Sequence, residues 1–426
     1  MSVPLELVWA GPAHLLAVDP LLDTVDWVTV LFVVIKTVIT FVVVLVSVLF
    51  MVWYERKVIS YMQNRVGPQE AGPFGLLQSL ADGMKLFFKE ALMPERADRV
   101  VFRLAPYLAV VPAFLTFAIV PIGGSITIAH RTTHLQLADP PIGILWLLMM
   151  SGIAIYGIML AGWASGSKYP LLGSVRASAQ LISYEAALGL SIASVVLVTG
   201  SLGTHDIVLA QAARGIHVPI AHWFNLPNWN IIQLALVPFI IYLLAATAEV
   251  NRPPFDLVEA ESELVGGFNT EYSSIGFALF YLAEFMNTVT QSAIMVTLFL
   301  GGPTGPWNPT APVLRWLMPI VYFVAKIFIF LFAYVWIRAT LPRLRYDQLM
   351  DLGWKVLIPV SLFWLLVIAA IKVGRWPYAL GALVAGLVAY ALLARALAVG
   401  KERAADQREE ASINRASVAS RLPGGR

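Results

Sequence analysis

Nine stretches of the chain stay apolar for about the 20 residues that a helix needs to cross a bilayer. They fall at 28–52, 104–122, 142–164, 178–200, 231–249, 275–300, 313–337, 354–373 and 376–399. The breaks between them carry proline and glycine, as in "PIGG", "ADPPIG", "NRPPFD" and "GGPTGPWNP", which end helices and begin turns. The pattern predicts an all-α, polytopic transmembrane protein of about nine spans. One polar segment has a helical rhythm of its own. After the turns at Gly67-Pro68 and Gly72-Pro73, Leu77, Leu80, Met84, Phe87 and Phe88 recur every three or four residues, with Asp82, Lys85 and Lys89 between them. That spacing predicts an amphipathic helix lying at the membrane surface. Periodicity alone leaves open whether it anchors the chain or roofs a cavity.

Charge adds direction to this picture. If the segment after the first span is cytoplasmic, Arg131, Arg214, Arg315, Lys372 and Arg375 lie outside and Lys36 and Lys326 within spans; the remaining 22 of 29 basic residues are cytoplasmic. Such a bias sets the N-terminus outside and the C-terminus inside, which an odd number of spans requires. All six histidines then fall on the outer side. Two of them, His130 and His134, have the i, i+4 spacing of metal ligands, but no third ligand accompanies them and no metal site is expected. The acidic first 26 residues lack a basic leader, so no cleaved signal peptide is expected.

Composition agrees: 59% of residues are hydrophobic and 13% charged, against about 25% charged in soluble domains. A net charge of +3 without a basic patch argues against nucleic-acid binding. The chain has no cysteine, so cysteine-held iron–sulfur clusters and thiol chemistry are not expected in it.

Against this background the acids are conspicuous. Lys36, Glu185, Glu284 and Lys326 lie inside spans, and Glu249 lies at the end of the fifth. Each costs about 2.5–3.5 kcal/mol at a helix centre, so each faces protein or water rather than lipid. They read either as buried ion pairs between helices or as a hydrated proton path. Directly after the fifth span comes "AEVNRPPFDLVEAESELVGGFNTEY" (248–272). Asp256, Glu259, Glu261, Glu263 and Glu271 follow Arg252 with no other basic residue among them. Pro253 and Pro254 stop the preceding helix. A helix restarting at Asp256 would set Asp256, Glu259 and Glu263 on one face. Like charges so spaced oppose each other's ionisation and couple their titrations. A solvated loop is the plainer alternative, although the interleaved Phe255, Leu257, Val258, Leu264 and Val265 require part of the segment to pack.

Three stretches carry a resemblance to a known family. They are "ERKVISYMQNRVGPQEAGPFGLLQSLADGMKLFFKE" (55–90), the acidic stretch above, and "FAYVWIRATLPRLRYDQLMDLGWK" (332–355). The chain resembles the H subunit of respiratory complex I, the mitochondrial NADH dehydrogenase subunit 1 family, over roughly residues 30–370. The resemblance implies the heel of the membrane arm, beneath the quinone-reducing module, in a bacterial plasma membrane. It implies that Glu55, Arg56, Lys57, Arg65 and Asp82 lie along the quinone tunnel or its docking surface. It implies that Glu185, Glu249, Asp256, Glu259, Glu261, Glu263, Glu271 and Glu284 couple quinone reduction to proton movement. Arg252, Arg338, Arg343, Arg345 and Asp347 would be structural or docking residues. No residue of the chain is expected to be directly catalytic. Ubiquinone or menaquinone would be the substrate, with flavin mononucleotide and iron–sulfur clusters held by partner subunits. Those partners would be the quinone-module subunits of the peripheral arm, small membrane-arm subunits and antiporter-like subunits, besides lipid.

The resemblance also divides the chain: an outer extension (1–27), an eight-span domain (28–373), an additional ninth span (374–400) and a charged tail (401–426). The outer segment at 201–230 is long for the eight-span pattern. The rival readings are the homologous membrane subunit of an energy-converting hydrogenase, a stand-alone proton-coupled transporter, and a plain membrane anchor. Tunnel motifs in 55–90 favour the quinone enzyme.

Overall fold

The computed structural model describes residues 19, 21, 26–128, 131–212, 216–217, 225–226, 228–234, 236–256, 264–305 and 312–373, with isolated positions beyond 380. The ninth apolar stretch lies almost wholly outside the described residues. One compact unit covers 1–364 and a second covers 365–426.

The first apolar stretch forms α1, Trp27–Met62, whose 36 residues rise about 54 Å. That exceeds a hydrocarbon core of about 30 Å, so α1 leaves the bilayer by several turns. Those turns carry Glu55, Lys57 and Ser60, all buried. The chain then loops back over α1. Lys57 Nζ donates to Pro68 O at 3.0 Å and Trp53 Nε1 to Phe74 O at 3.1 Å. The amphipathic segment follows as α2, Gln78–Phe88. Ser79 Oγ donates to Leu49 O at 2.8 Å and Arg56 pairs with Asp82 at 2.6 Å, holding α2 to α1.

α3 (Arg99–Phe117) and α4 (Gly143–Ala164) are joined by a hairpin, β1 (Ser125–Ile128) with β2 (Arg131–His134). Between helices in lipid, packing rests on small residues that let backbones approach. A Cβ on Gly157 of α4 would lie 2.8 Å from Ala109 N of α3. α5, Lys168–Thr199, extends ten residues before the apolar stretch that predicts it. After α6 (Thr204–Ala212) a second short hairpin pairs β3 (Ile216–His217) with β4 (Asn225–Leu226). Both hairpins lie in segments that the sequence reads only as outer loops.

The stretch 231–249 is not one helix. A single turn, α7 (Asn230–Gln233), precedes α8, Val237–Glu249. Pro238 in the first turn of α8 lacks the N–H that would continue a helix from α7, and Leu236 takes a left-handed φ of 67°. α8 then stops at Pro253-Pro254. The carbonyls freed there are met from α5: Gln180 Nε2 donates to Ala248 O at 2.8 Å and to Phe255 O at 2.9 Å.

α9 (Ser274–Phe299) and α10 (Pro312–Thr340) follow, then α11 (Tyr346–Leu352), a π-helical turn at Gly353–Leu357, and α12 (Ile358–Lys372). Among the described residues six helical stretches are long and apolar enough to cross a membrane: α1, α3, α4, α5, most of α10, and Tyr346–Lys372. The chain is thus an all-α, multi-pass membrane protein. α8 is short, and α9 carries Glu284, Asn287, Thr288, Thr290, Gln291 and Ser292 in a near-continuous run.

Candidate functional site

Two cavities and one arginine organise the acids. The first cavity, about 450 Å³, opens where the end of α1 meets the loop after it. Val52, Glu55, Arg56 and Ile59 of α1, Arg65–Pro68 of the loop, Tyr281 and Phe285 of α9, and Arg338 of α10 line it. Its lining therefore mixes aromatic and aliphatic side chains with charged ones. The second cavity, about 70 Å³, lies among α3, α4, α8 and α9. Ser151, Glu249, Asn251, Glu284, Asn287 and Gln291 supply its polar wall, and it has room for a few waters.

Arg252 lies between the two. It is 4% exposed, and its Nη1 stands 3.1 Å from Glu55 Oε2 and 3.2 Å from Oε1. Its Nε stands 3.3 Å from Glu284 Oε1, an ion pair without hydrogen-bond geometry. The guanidinium lies over the Phe285 ring at 4.2 Å. Arg338 also pairs with Glu55. Glu55 lines the first cavity and Glu284 the second, so one cation touches the acids of both.

Further in, Ser151 Oγ donates to Glu249 Oε1 at 2.6 Å and Gln291 Nε2 to Glu249 Oε2 at 3.0 Å. Tyr242 completes the chain by donating to Gln291 Oε1 at 2.6 Å. Glu185 of α5 lies against Gly152, and Ser151 lies within bonding reach of it as well as of Glu249.

Other expected residues have different surroundings. Arg56 and Asp82 tie α1 to α2, and Arg65 donates to Gln63 Oε1 at 2.6 Å on the exposed rim. Asp256 is buried and pairs with Arg343 at 2.7 Å; the neighbouring Leu344 N donates to Pro254 O at 3.0 Å. The arginine-rich loop therefore docks onto the end of α8 through Asp256. Arg345 and Asp347 form an exposed pair at 3.6 Å. Glu271, half-buried in the turn before α9, is not among the residues lining either cavity. Glu259, Glu261 and Glu263, with the helix expected to restart at Asp256, lie outside the described residues; Asp256 itself is not helical.

Lys36 and Lys326, both half-buried, stand apart from these acids. Lys36 pairs with Asp19 at 2.7 Å and donates to Thr133 Oγ1 at 2.9 Å. Lys326 Nζ meets three backbone carbonyls, Leu300, Gly302 and Thr304, at 2.6, 2.9 and 2.7 Å, and lies 4.7 Å from the Trp229 ring centre. It closes the C-terminal end of α9, where the last carbonyls lack helical partners. Reasoning from charge misses Ser151 and Gln291, because neutral polar residues in a span raise no electrostatic flag. The polar run in α9 is the available signal.

A second titratable cluster surrounds the β1–β2 hairpin. The rings of His134 and His205 lie 4.2 Å apart. His130, the expected partner of His134, is outside the described residues. Burial and the nearby Asp206 push the Asp139 carboxyl up to about 6, although the His205 backbone N–H and Gln136 bond to it. Burial pulls both histidines below their ordinary range; for His134 the neighbouring His205 adds to it. Asp19 goes the other way: burial opposes its charge, but Lys36, Thr133 and the Leu21 N–H together hold it low. The signs differ in consequence. Protonating Asp139 stabilises the cluster, and that gain fades as pH rises through about 6; protonating the histidines costs stability as pH falls below the ordinary histidine value. Infrared difference spectra between about pH 8 and pH 4 should contain a protonated-carboxyl band with a midpoint about 6 that disappears in Asp139→Asn. A band unchanged by that substitution would remove this assignment.

A sequence profile of the NADH dehydrogenase family matches residues 35–369. The H subunit of NADH-quinone oxidoreductase from Frankia casuarinae is 45% identical over 99% of this chain and 91% of its own length. That alignment takes in nearly all of residues 1–27, the ninth apolar stretch and the charged C-terminal segment. The proteins of the same name from Frankia alni and Streptomyces avermitilis are each 49% identical, over 88% and 80% of this chain and 81% and 74% of their own lengths. The cavity at the end of α1 and the acids behind Arg252 are thus features of a chain that belongs to the family of the H subunit of NADH-quinone oxidoreductase, the membrane-embedded complex I component that the motifs at 55–90, 248–272 and 332–355 resemble.

Proposed function

We propose that this chain is the heel of the membrane arm of a proton-pumping complex I in a bacterial plasma membrane. The cavity at the end of α1 admits the quinone, and the acids behind it transmit the consequences of its reduction. The observation that carries this reading is Arg252 held between Glu55 and Glu284. About 450 Å³ falls within the range of small-molecule sites. The aliphatic and aromatic side chains of Val52, Ile59, Tyr281 and Phe285 suit an apolar tail and ring. The arginines of the same lining suit quinone carbonyl oxygens, which gain negative charge on reduction.

Reducing a quinone to a quinol takes two electrons and two protons. The electrons come from an iron–sulfur cluster of a partner subunit. Each uncompensated charge beside Glu55 changes the field at Arg252. At about 4 Å and an effective dielectric near 20, one unit charge is worth about 4 kcal/mol. One pKa unit is about 1.4 kcal/mol, so such a change is enough to move a proton among nearby acids. As Glu55 or the reduced quinone draws Arg252, its hold on Glu284 weakens, and Glu284, Glu249 and Glu185 redistribute protons through the inner cavity. Glu259, Glu261 and Glu263, which follow Asp256 in the sequence, join this exchange in our reading, and antiporter-like subunits receive the free energy.

The test is Glu249→Gln in the assembled complex, alongside Glu261→Gln and Glu263→Gln. A glutamine keeps the hydrogen bonds from Ser151 or Gln291 in one orientation but holds no exchangeable charge. Quinone reduction and proton translocation should fall together, with assembly intact. Normal translocation in all three would overturn the coupling role.

A further inference from the structure

α3 begins Arg99-Val100-Val101-Phe102-Arg103-Leu104 and carries Tyr107 one turn later. Arg99, Val100, Arg103, Leu104 and Tyr107 line an open groove of about 360 Å³ on the outward face of the helix. The helix N-terminus is not itself the attraction, because the Asp98 side chain already accepts from Val100 N at 3.0 Å and Val101 N at 3.2 Å. The charge comes from two guanidinium groups, and neither forms an ion pair among the described residues. Elsewhere on this side of the protein Arg56, Arg252, Arg338 and Arg343 each hold a carboxylate.

Position fixes what those two charges meet. Asp98 N donates to Ala164 O at 3.0 Å, so the start of α3 is level with the end of α4, where Trp163 is exposed as aromatic residues are at a bilayer surface. Arg99 and Arg103 are one turn apart, about 6 Å along the axis. That is about the thickness of the headgroup layer on one face of a bilayer. Val100 between them, then Leu104 and Tyr107, line the same groove and continue into the exposed Val111 and Leu115, an apolar strip running down the helix into the hydrocarbon.

We propose that this groove binds one anionic glycerophospholipid of the leaflet on the α2 side. Its phosphate is held by Arg99 and Arg103, and an acyl chain lies along the strip below Tyr107. Arginine suits phosphate because its planar fork donates two parallel hydrogen bonds. The strip explains why the occupant is a lipid and not free phosphate, and the double positive charge favours an anionic headgroup over a zwitterionic one.

The experiment is native mass spectrometry of the intact complex, stripped of lipid in detergent. It is then exposed to vesicles of phosphatidylglycerol, to vesicles of phosphatidylcholine, or to inorganic phosphate alone. Wild type should retain one more phosphatidylglycerol than the Arg99→Gln/Arg103→Gln variant, and the two should retain equal phosphatidylcholine. Equal phosphatidylglycerol in both, or phosphate alone displacing it, would overturn the proposal. Should the double variant fail to assemble, a photo-crosslinking amino acid at Tyr107 in the otherwise unaltered complex decides the matter. A phospholipid adduct is expected. A protein adduct would assign the groove to a protein partner and overturn the lipid.

Discussion

Arg252→Leu is expected to abolish accumulation of the assembled complex, while Arg252→Lys assembles but loses at least about tenfold of its quinone reductase rate. The leucine removes a buried cation that touches two carboxylates on different helices. Glu55 keeps Arg338; the ion pair between Glu284 and Arg252 is lost. Breaking a buried pair by deleting one partner costs about 3–5 kcal/mol, a large share of the roughly 5–15 kcal/mol that holds a folded domain together. Lysine restores charge but not shape. Arginine reaches Glu55 through Nη1 and Glu284 through Nε, on different edges of one planar group, whereas an ammonium is a single point. Lysine therefore satisfies one carboxylate at a time, and a tenfold loss corresponds to about 1.4 kcal/mol of barrier. The charge argument has its own check. Arg252→Leu/Glu284→Gln should accumulate better than Arg252→Leu alone, since the carboxylate that lost its arginine no longer carries a charge. No recovery would mean that Arg252 acts through its volume or its contact with Phe285, and the electrostatic link between the cavities would fall.

How far all this can be read from the chain varies with the kind of partner a residue has. Apolar runs long enough to span, a Pro-Pro stop, and acids stranded in apolar surroundings each have a local signature. α4, α9 and α10 accordingly lie close to where the hydropathy places them, and α1 starts where expected but runs ten residues further. Glu185, Glu249 and Glu284 stand out because a charge in a span or at its end demands an explanation, whereas Glu55 is marked only by the resemblance of its segment. What the explanation is depends on residues far away in sequence. The resemblance makes Arg252 a structural or docking residue without naming a partner, and its partners are 197 residues back on α1 and about three turns into α9. Lys326 invites a carboxylate partner, but backbone carbonyls answer it, and every residue carries one of those. The break at Leu236 is legible in Pro238 and is outweighed by the apolar run around it. The β1–β2 hairpin has no such signal, being four residues per strand in a loop rich in small polar side chains.

Gly75→Ala should lower quinone reductase activity at least about tenfold and raise the KM for quinone, while Gly83→Ala, further along the same segment, changes neither. Gly75 has φ +75°. An L-residue there pays about 1–2 kcal/mol against the left-handed conformation. Space is the harder limit. A Cβ at Gly75 would overlap the carbonyl carbon and oxygen of Pro68 and lie 2.9 Å from Gln69 N. Those are backbone atoms, so the relief must come from moving the loop itself. Pro68 lines the cavity at the end of α1, and its carbonyl accepts from Lys57 Nζ. Phe74, beside the substituted residue, accepts from Trp53 Nε1. A shift at Gly75 thus loosens both bonds that hold the loop to α1 and displaces one wall of the cavity, leaving α1 and the acids behind Arg252 untouched. Gly83 lies within α2, where a Cβ meets nothing within 4 Å, and alanine favours the helix. The pair therefore separates the shape of the cavity from the mere loss of a glycine in the segment. Full activity with unchanged KM in Gly75→Ala would mean that the quinone does not pass the Pro68 wall, and would move its path to another face of the protein.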